Sequence, residues 1–330
     1  MIHFIKIFSF AFILLFLGCN TDSEDCVHGA LEHINPQHDI AGENYKESLM
    51  ACRLPKVQTF QFNGFQEMEI TTAKGTIFSI SSQTFSQLDG SPIDEDINFD
   101  VIEMYTPGEI VACQLSTNGI KENDIIEPLL SEGILYINVT YNGAPVLINQ
   151  QIEVFMPSEN EDLFLSLFHS PSCLDVHCKV LWERATNTEV IFDQYTDSNG
   201  NVITGYRTFV QNIGWKSIAR YNENPESRGI LYNKALQGYD NTNSTVYLIY
   251  DSPSIAVGMF SEFDTKNEVF SEKYRQIPNN TSANVLFVSK PENEFTFGMQ
   301  PVVTQDEKIA VTRTVQTGTE SSLITFINNL

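Results

Sequence analysis

From Thr59 onward the chain reads as short runs of alternating apolar and polar residues separated by turn signals, a pattern that excludes a helical fold for most of its length. Met68 to Ile80 gives two such runs about Ala73-Lys74-Gly75. Ile97 to Met104 alternates as a half-buried strand does, and Glu109 to Leu115 reads as another strand. Ile134 to Tyr141, Asn142-Gly143 and Pro145 to Ile148 form a hairpin signal, because Asn-Gly accepts the positive φ angles of a tight turn. Ile152 to Met156 closes this block. Leu163 to His169, Lys179 to Glu183, Val190 to Phe192 and Ile203 to Val210 also read as strands, with Asp197 to Asn201 as a turn. Thr245 to Tyr250, Ala283 to Ser289, Phe295 to Met299 and Ile309 to Val315 continue the pattern. Helical spacing occurs in two places. Tyr45, Leu49 and Cys52 share a face between Glu43 and Cys52, and Leu323, Ile324, Ile327 and Leu330 share one at the C-terminus, with Thr319 as its N-cap.

The expected fold is all-β: two β-sandwich domains joined by a β connector, with a short C-terminal helix. A chain of 330 residues exceeds the roughly 250–300 that one hydrophobic core serves. Texture divides it into a signal segment (1–18), a tether with a short helix (19–55), a first sandwich (56–157), the connector (158–228) and a second sandwich (229–330).

The first residues carry an address. Lys6 precedes an apolar run from Ile7 to Leu17, shorter than the roughly 20 residues a membrane span needs. A positive start, a short apolar stretch and a small residue before the cut read as a secretory signal. Phe16-Leu17-Gly18-Cys19 resembles the bacterial lipobox, which implies that Cys19 becomes a lipidated N-terminus. More than one acyl chain on such a cysteine holds a protein stably at the membrane, at about 0.8 kcal/mol per buried methylene. The acidic stretch Asp22-Ser23-Glu24-Asp25 resembles the surface-export signal of Bacteroidota lipoproteins. The expected location is the outer membrane at the cell surface, with the periplasmic leaflet as the alternative.

Charge narrows the partners. With 19 Lys and Arg against 42 Asp and Glu, the net charge is −23. Such a surface does not grip nucleic acid or anionic lipid, both of which call for basic patches. Partners then reduce to the membrane through the anchor and to an envelope protein or glycan.

Six cysteines enter an oxidising compartment, where disulfides form. Cys173 and Cys178 would close a small loop, and Cys26 and Cys52 would pin the start of the fold. Cys113, in an apolar run, reads as a buried free thiol. Cys173, His177, Cys178 and His169 are suitable zinc ligand types, but their spacing matches no common zinc pattern, and no metal is expected. His28, His33 and His38 recur every five residues, which suits neither face of a helix, and read as loop residues.

A resemblance covers about 100 residues of the first block. Lys74-Gly-Thr-Ile-Phe-Ser-Ile-Ser-Ser-Gln-Thr-Phe85, Asp89-Gly90, Ile97 to Glu103, Leu115-Ser-Thr117 and Gly133 to Ile137 resemble a segment order of uncharacterised Bacteroidota lipoproteins. In these a ZU5-like β-sandwich precedes an immunoglobulin- or transthyretin-like β domain. Ser81, Thr84 and Glu132 stand where that family often has Pro, Ala and Gly. Gly214-Trp215 and Ile218 to Tyr221 resemble a further segment of the family without its Asn-Cys-Asp. Trp215 reads as a packing anchor. The resemblance implies a fold and no catalytic residue or cofactor.

The sequence contains no P-loop, HExxH or GxSxG motif. Asp94 to Asp100 and Asp197 to Asn201 offer alternating oxygens, but neither has the glycine and distal glutamate of an EF-hand loop. The expected function is a lipid-anchored envelope lipoprotein with a non-enzymatic binding or scaffolding role. The alternatives are an accessory subunit of a surface transport or secretion complex, and a glycan-active hydrolase whose paired carboxylates meet only in three dimensions.

Overall fold

The structure, a computed structural model, describes residues 51–330 except 122–123, 175–179, 198–199, 224–225, 273–274 and 292. The signal segment, Cys19, Cys26, the three N-terminal histidines, His177 and Cys178 lie outside the described residues, as does most of the helix expected at 43–52. Residues 51–53 are helical.

Strands distant in sequence pair to build the core. A central antiparallel sheet runs in the order Gln58–Asn63, Asp96–Met104, Ile126–Tyr141, Gly214–Tyr221, Ser166–Ser170 and Glu183–Arg184. Asn118–Ile120 and Ala144–Pro145 pair with its long third strand. An outer sheet runs Val190–Thr196, Val202–Val210, Ile152–Pro157, Ile77–Ile80 and Met68–Thr71. A third sheet holds Val257–Met259, Ser244–Tyr250, Ser282–Ser289, Phe295–Val303 and Gln316–Gly318. A fourth holds Glu262–Asp264, Val269–Ser271, Leu231–Lys234 and Lys308–Val311, the last two parallel. The all-β class is the one the alternation predicts, and the C-terminal helix (Glu320–Asn328) lies where the helical spacing and the Thr319 cap place it.

The period of two explains how one sheet serves two cores. Ile97, Phe99, Val101, Leu135, Ile137 and Ile218 of the central sheet face Ile70, Phe78, Val154 and Val210 of the outer sheet. Their neighbours Ile102, Met104, Ile134, Tyr136 and Trp215 face the other way. They pack with Tyr247, Ile249, Leu286 and Phe297 of the third sheet and with Leu323 and Ile327 of the C-terminal helix. Backbone bonds join these layers as well: Ser131 and Ile255 exchange N–H···O bonds of 2.8 Å, and Thr117 N donates to Val257 O at 2.8 Å. Each large side chain so buried contributes roughly 1.5–3 kcal/mol. An exposed ion pair contributes about 0–1 kcal/mol, so apolar burial dominates the cohesion of the layers.

Four expectations are corrected. The segment 158–228 is not a connector. It supplies two strands to the outer sheet and three to the central sheet, with Trp215 opposite Tyr136 and Thr208 opposite Val154. Glu109 to Leu115 is not a strand: Pro107–Ala112 is a helix. Thr106 caps it by accepting from Glu109 N at 3.3 Å, and Pro107 supplies a preset φ in its first turn. Cys113 is not a free thiol, and Cys52 does not pair with Cys26: the bond is Cys52–Cys113, with Cα atoms 5.2 Å apart. The turn out of the Pro107–Ala112 helix brings Cys113 beside the entry segment, a contact between residues 61 apart in sequence. Cys173 is also disulfide-bonded.

The entry segment is fastened further by Arg53, buried beside the disulfide. Its guanidinium donates to Cys113 O at 3.1 Å, Leu174 O at 3.2 Å and Gln114 O at 3.3 Å. A cation there also complements the negative end of the Pro107–Ala112 helix. Lys56 Nζ reaches Glu320 at the start of the C-terminal helix at 2.7 Å. The two helices touch at Gly108, where a Cβ would lie 2.7 Å from Ile324 O. Trp215, fully buried, donates from Nε1 to Cys173 O at 2.8 Å, as a packing anchor does.

Candidate functional site

The central sheet ends in a cleft. Ser166 and Phe168, Arg184 on the edge strand, Tyr221 and Lys121 line it, and the loop 185–189 forms its far wall. Two adjoining hollows of about 1020 Å³ and 260 Å³ share Ser166, Arg184 and Tyr221. Trp182, two residues before Arg184, anchors the edge strand in the core. Its ring is fully buried, Nε1 donates to Ser116 O at 2.8 Å, and its backbone bonds to Asn118 and Ile120. The floor is an edge-to-face pair, Phe168 and Tyr221, 5.3 Å between centroids. Tyr221 donates to Ile120 O at 2.8 Å, and the Lys121 ammonium lies 5.2 Å from its ring.

At the mouth stands Phe164, 81% exposed. Its turn is built rather than left loose. Asp162 accepts from Phe164 N at 2.9 Å with one carboxylate oxygen and from Arg220 Nε at 2.6 Å with the other. Asp162 N donates to the Tyr206 hydroxyl at 2.8 Å, which donates in turn to Asn160 O at 2.5 Å. A preset turn that leaves an aromatic ring in water lowers the ordering cost of binding.

The cleft cations differ in their commitments. Arg220 is held by Asp162 at 2.6 Å, and Lys121 by the buried Glu127 at 3.4 Å. Arg184 has no acidic partner among the described residues.

Behind the cleft, Glu127 lies between Lys121 and Arg228, whose guanidinium is 3.7 Å away. Arg228 in turn donates to Asn222 O at 2.6 Å and Gln276 O at 2.9 Å. A second pocket there, about 40 Å³, is lined by Tyr250 and Asn118. The Tyr250 hydroxyl and Asn118 Oδ1 are buried without a hydrogen-bond partner among the described residues. That volume holds a few waters.

Two carboxylates are set apart by their surroundings. The strand Ile126–Tyr141 bulges at Glu132: Gly133 pairs with Ile218 while Ser131 pairs with Ala219. Gly133 takes φ +156°, and a Cβ there would meet Tyr105 at 2.3 Å. Burial raises the Glu132 carboxyl above its usual range, although the hydroxyls of Ser254 at 3.1 Å and Ser158 at 3.2 Å bond to it. Glu103 is buried and saturated, accepting from Thr72 and Thr76 hydroxyls at 2.5 Å each, Gln58 Nε2 at 2.9 Å and Lys74 N at 3.1 Å.

The residues that the sequence alone suggests fall elsewhere. His169 is half-buried on the strand beside Lys216, and burial, then that amine, lower its imidazole below the ordinary range. Asp197 and Asn201 bond to each other across their turn, Asn201 N and Nδ2 each donating at 2.8 Å. Asp100 accepts from Thr59 at 2.6 Å and Asn138 at 3.3 Å. Among the described residues, no group of three or more His, Cys, Asp or Glu could hold a metal ion. No motif in the sequence singles out the cleft residues; the one local signal is Leu163-Phe164 following the acidic Glu159-Asn160-Glu161-Asp162. Compared with protein-family models, curated proteins and solved structures, the chain has no match.

Proposed function

We propose that this is a lipid-anchored lipoprotein of the outer membrane, held at the cell surface through Cys19, that binds a glycan in the cleft without chemical turnover. The observation that carries this reading is Phe164, exposed at the cleft mouth on a turn that Asp162, Arg220 and Tyr206 hold in place. A sugar ring offers an apolar C–H face to such a ring and hydroxyls to Ser166, Thr186 and Thr188, which line the cleft. Among the described residues, no helix is long and apolar enough to cross a membrane.

Retention of the full chain on immobilised envelope polysaccharide tests the reading. Phe164→Ala is expected to lose retention about tenfold or more, while Leu88→Ala, exposed outside the cleft, is expected to match the wild type. Cys19→Ala is expected to release the protein from the membrane fraction. Unchanged retention of Phe164→Ala, or membrane attachment independent of Cys19, would overturn it.

A hydrolase is the second reading, favoured by the raised carboxyl of Glu132 with Asp162 near it. Against it, serine hydroxyls hold both oxygens of Glu132, and Arg220 and a backbone N–H hold Asp162. Glu132→Gln should therefore leave glycan retention intact, with no turnover in either protein.

A further inference from the structure

We infer that the cleft ligand is an oligosaccharide carrying isolated uronic acid residues, with one carboxylate seated on Arg184; this deepens, and rests on, the glycan-binding reading above. Three observations carry it. The first is the uncommitted guanidinium: of the cations lining the cleft, Lys121 and Arg220 already hold acids, and Arg184 alone lacks one among the described residues. A planar guanidinium fits a carboxylate with two parallel N–H···O bonds, which a lysine cannot reproduce.

The second is placement. Arg184 sits opposite Phe168 on the edge strand, so its side chain rises beside the aromatic floor and within the same hollow as Ser166. A sugar stacked on an aromatic side chain would present a ring substituent to that side. The third is the charge of the whole chain. At −23 it repels a densely sulfated or phosphorylated polymer at long range. Glu189 and Glu223 also line the hollows, so only a sparse charge, in register with the one arginine, gains the local pair without most of that repulsion.

The test uses the full mature chain in detergent and two ligands. One is a xylo-oligosaccharide bearing a single glucuronic acid; the other is the same molecule with the carboxyl reduced to the alcohol. Isothermal titration is expected to show at least tenfold tighter binding of the acid form. Arg184→Gln should remove that preference and leave the weaker neutral binding, and Arg184→Lys should recover only a small part of it. Equal binding of both ligands, with Phe164→Ala weakening both, would overturn the carboxylate assignment while the glycan reading stands. Binding of neither ligand would overturn the assignment as well. Failure of the polysaccharide retention assay in addition would remove the glycan reading beneath it.

Discussion

Lys216→Met is expected to raise the stability of the folded body by roughly 2–5 kcal/mol at pH 7. Lys216 lies in the central sheet with its side chain between two apolar layers, 2% exposed. Leu135, Ile137, Val154, Leu167 and Val210 surround it with no room for a water molecule. Its amine reaches Ile213 O at 3.1 Å and Trp215 O at 3.3 Å, and no carboxylate among the described residues. Burial brings its pKa down from 10.5 to about 7. Between these values the unfolded chain binds a proton that the folded chain lacks, so this group makes stability rise with pH from about 7 towards 10.5. Below pH 7 both states are protonated and the full burial penalty is present. His169, across the strand pair, has its imidazole lowered by burial and by this amine, so its contribution has the same sign and fades once the pH passes the ordinary imidazole range. Urea midpoints at pH 7 and pH 9 check this. The wild type should gain stability over that interval relative to the methionine variant. A variant less stable than the wild type at pH 7, or two parallel pH curves, would contradict it.

Loss of the Cys52–Cys113 bond is expected to cost about 4 kcal/mol, the chain-entropy value for a loop of this length. The bond closes a loop of 61 residues. Both cysteines are buried in the core that joins the central sheet, the Pro107–Ala112 helix and the third sheet. Cys113→Ala, Cys52→Ala and the double variant should therefore fall together in a denaturant series, because all three break one bond. A non-reducing peptide map should recover Cys52 joined to Cys113. A Cys26–Cys52 peptide, or single variants that differ widely from the double, would sink the pairing.

Much of the strand content is legible in the sequence because a period of two is local. Ile97 to Met104, Thr245 to Tyr250 and Ala283 to Ser289 announce themselves within a few residues, and each is a strand. Asn142 and Gly143 take the positive φ their identities suggest, and Thr319 caps the last helix through Ser322 N at 3.2 Å. What is not legible is pairing. Nothing near Gly214 shows that it lies opposite Ile137, so residues 158–228 read as a separate connector. The Pro107–Ala112 helix is six residues long, too short for its 3.6-residue period to stand out, and only Thr106-Pro107 with Glu109 signals it. The disulfide escapes a sequence reading because proximity along the chain stands in for proximity in space.

The cleft is hidden for the same reason. Phe164, Arg184, Tyr221 and Lys121 come from four segments, and each alone has an ordinary structural explanation. Leu163 to His169 reads as one strand, whereas the strand begins at Ser166 and leaves Phe164 in the turn. That small shift moves an aromatic ring from an expected core position to solvent.

Hydrogen exchange of the full mature chain in detergent, with and without the glucuronic acid oligosaccharide, asks most directly whether the cleft holds the ligand. Slower exchange is predicted at Phe164 and Ser166 and across residues 185–189, with the outer sheet and the C-terminal helix unchanged. Slowing confined to other regions, such as the turn around Leu88, or no change at saturating oligosaccharide, would contradict it.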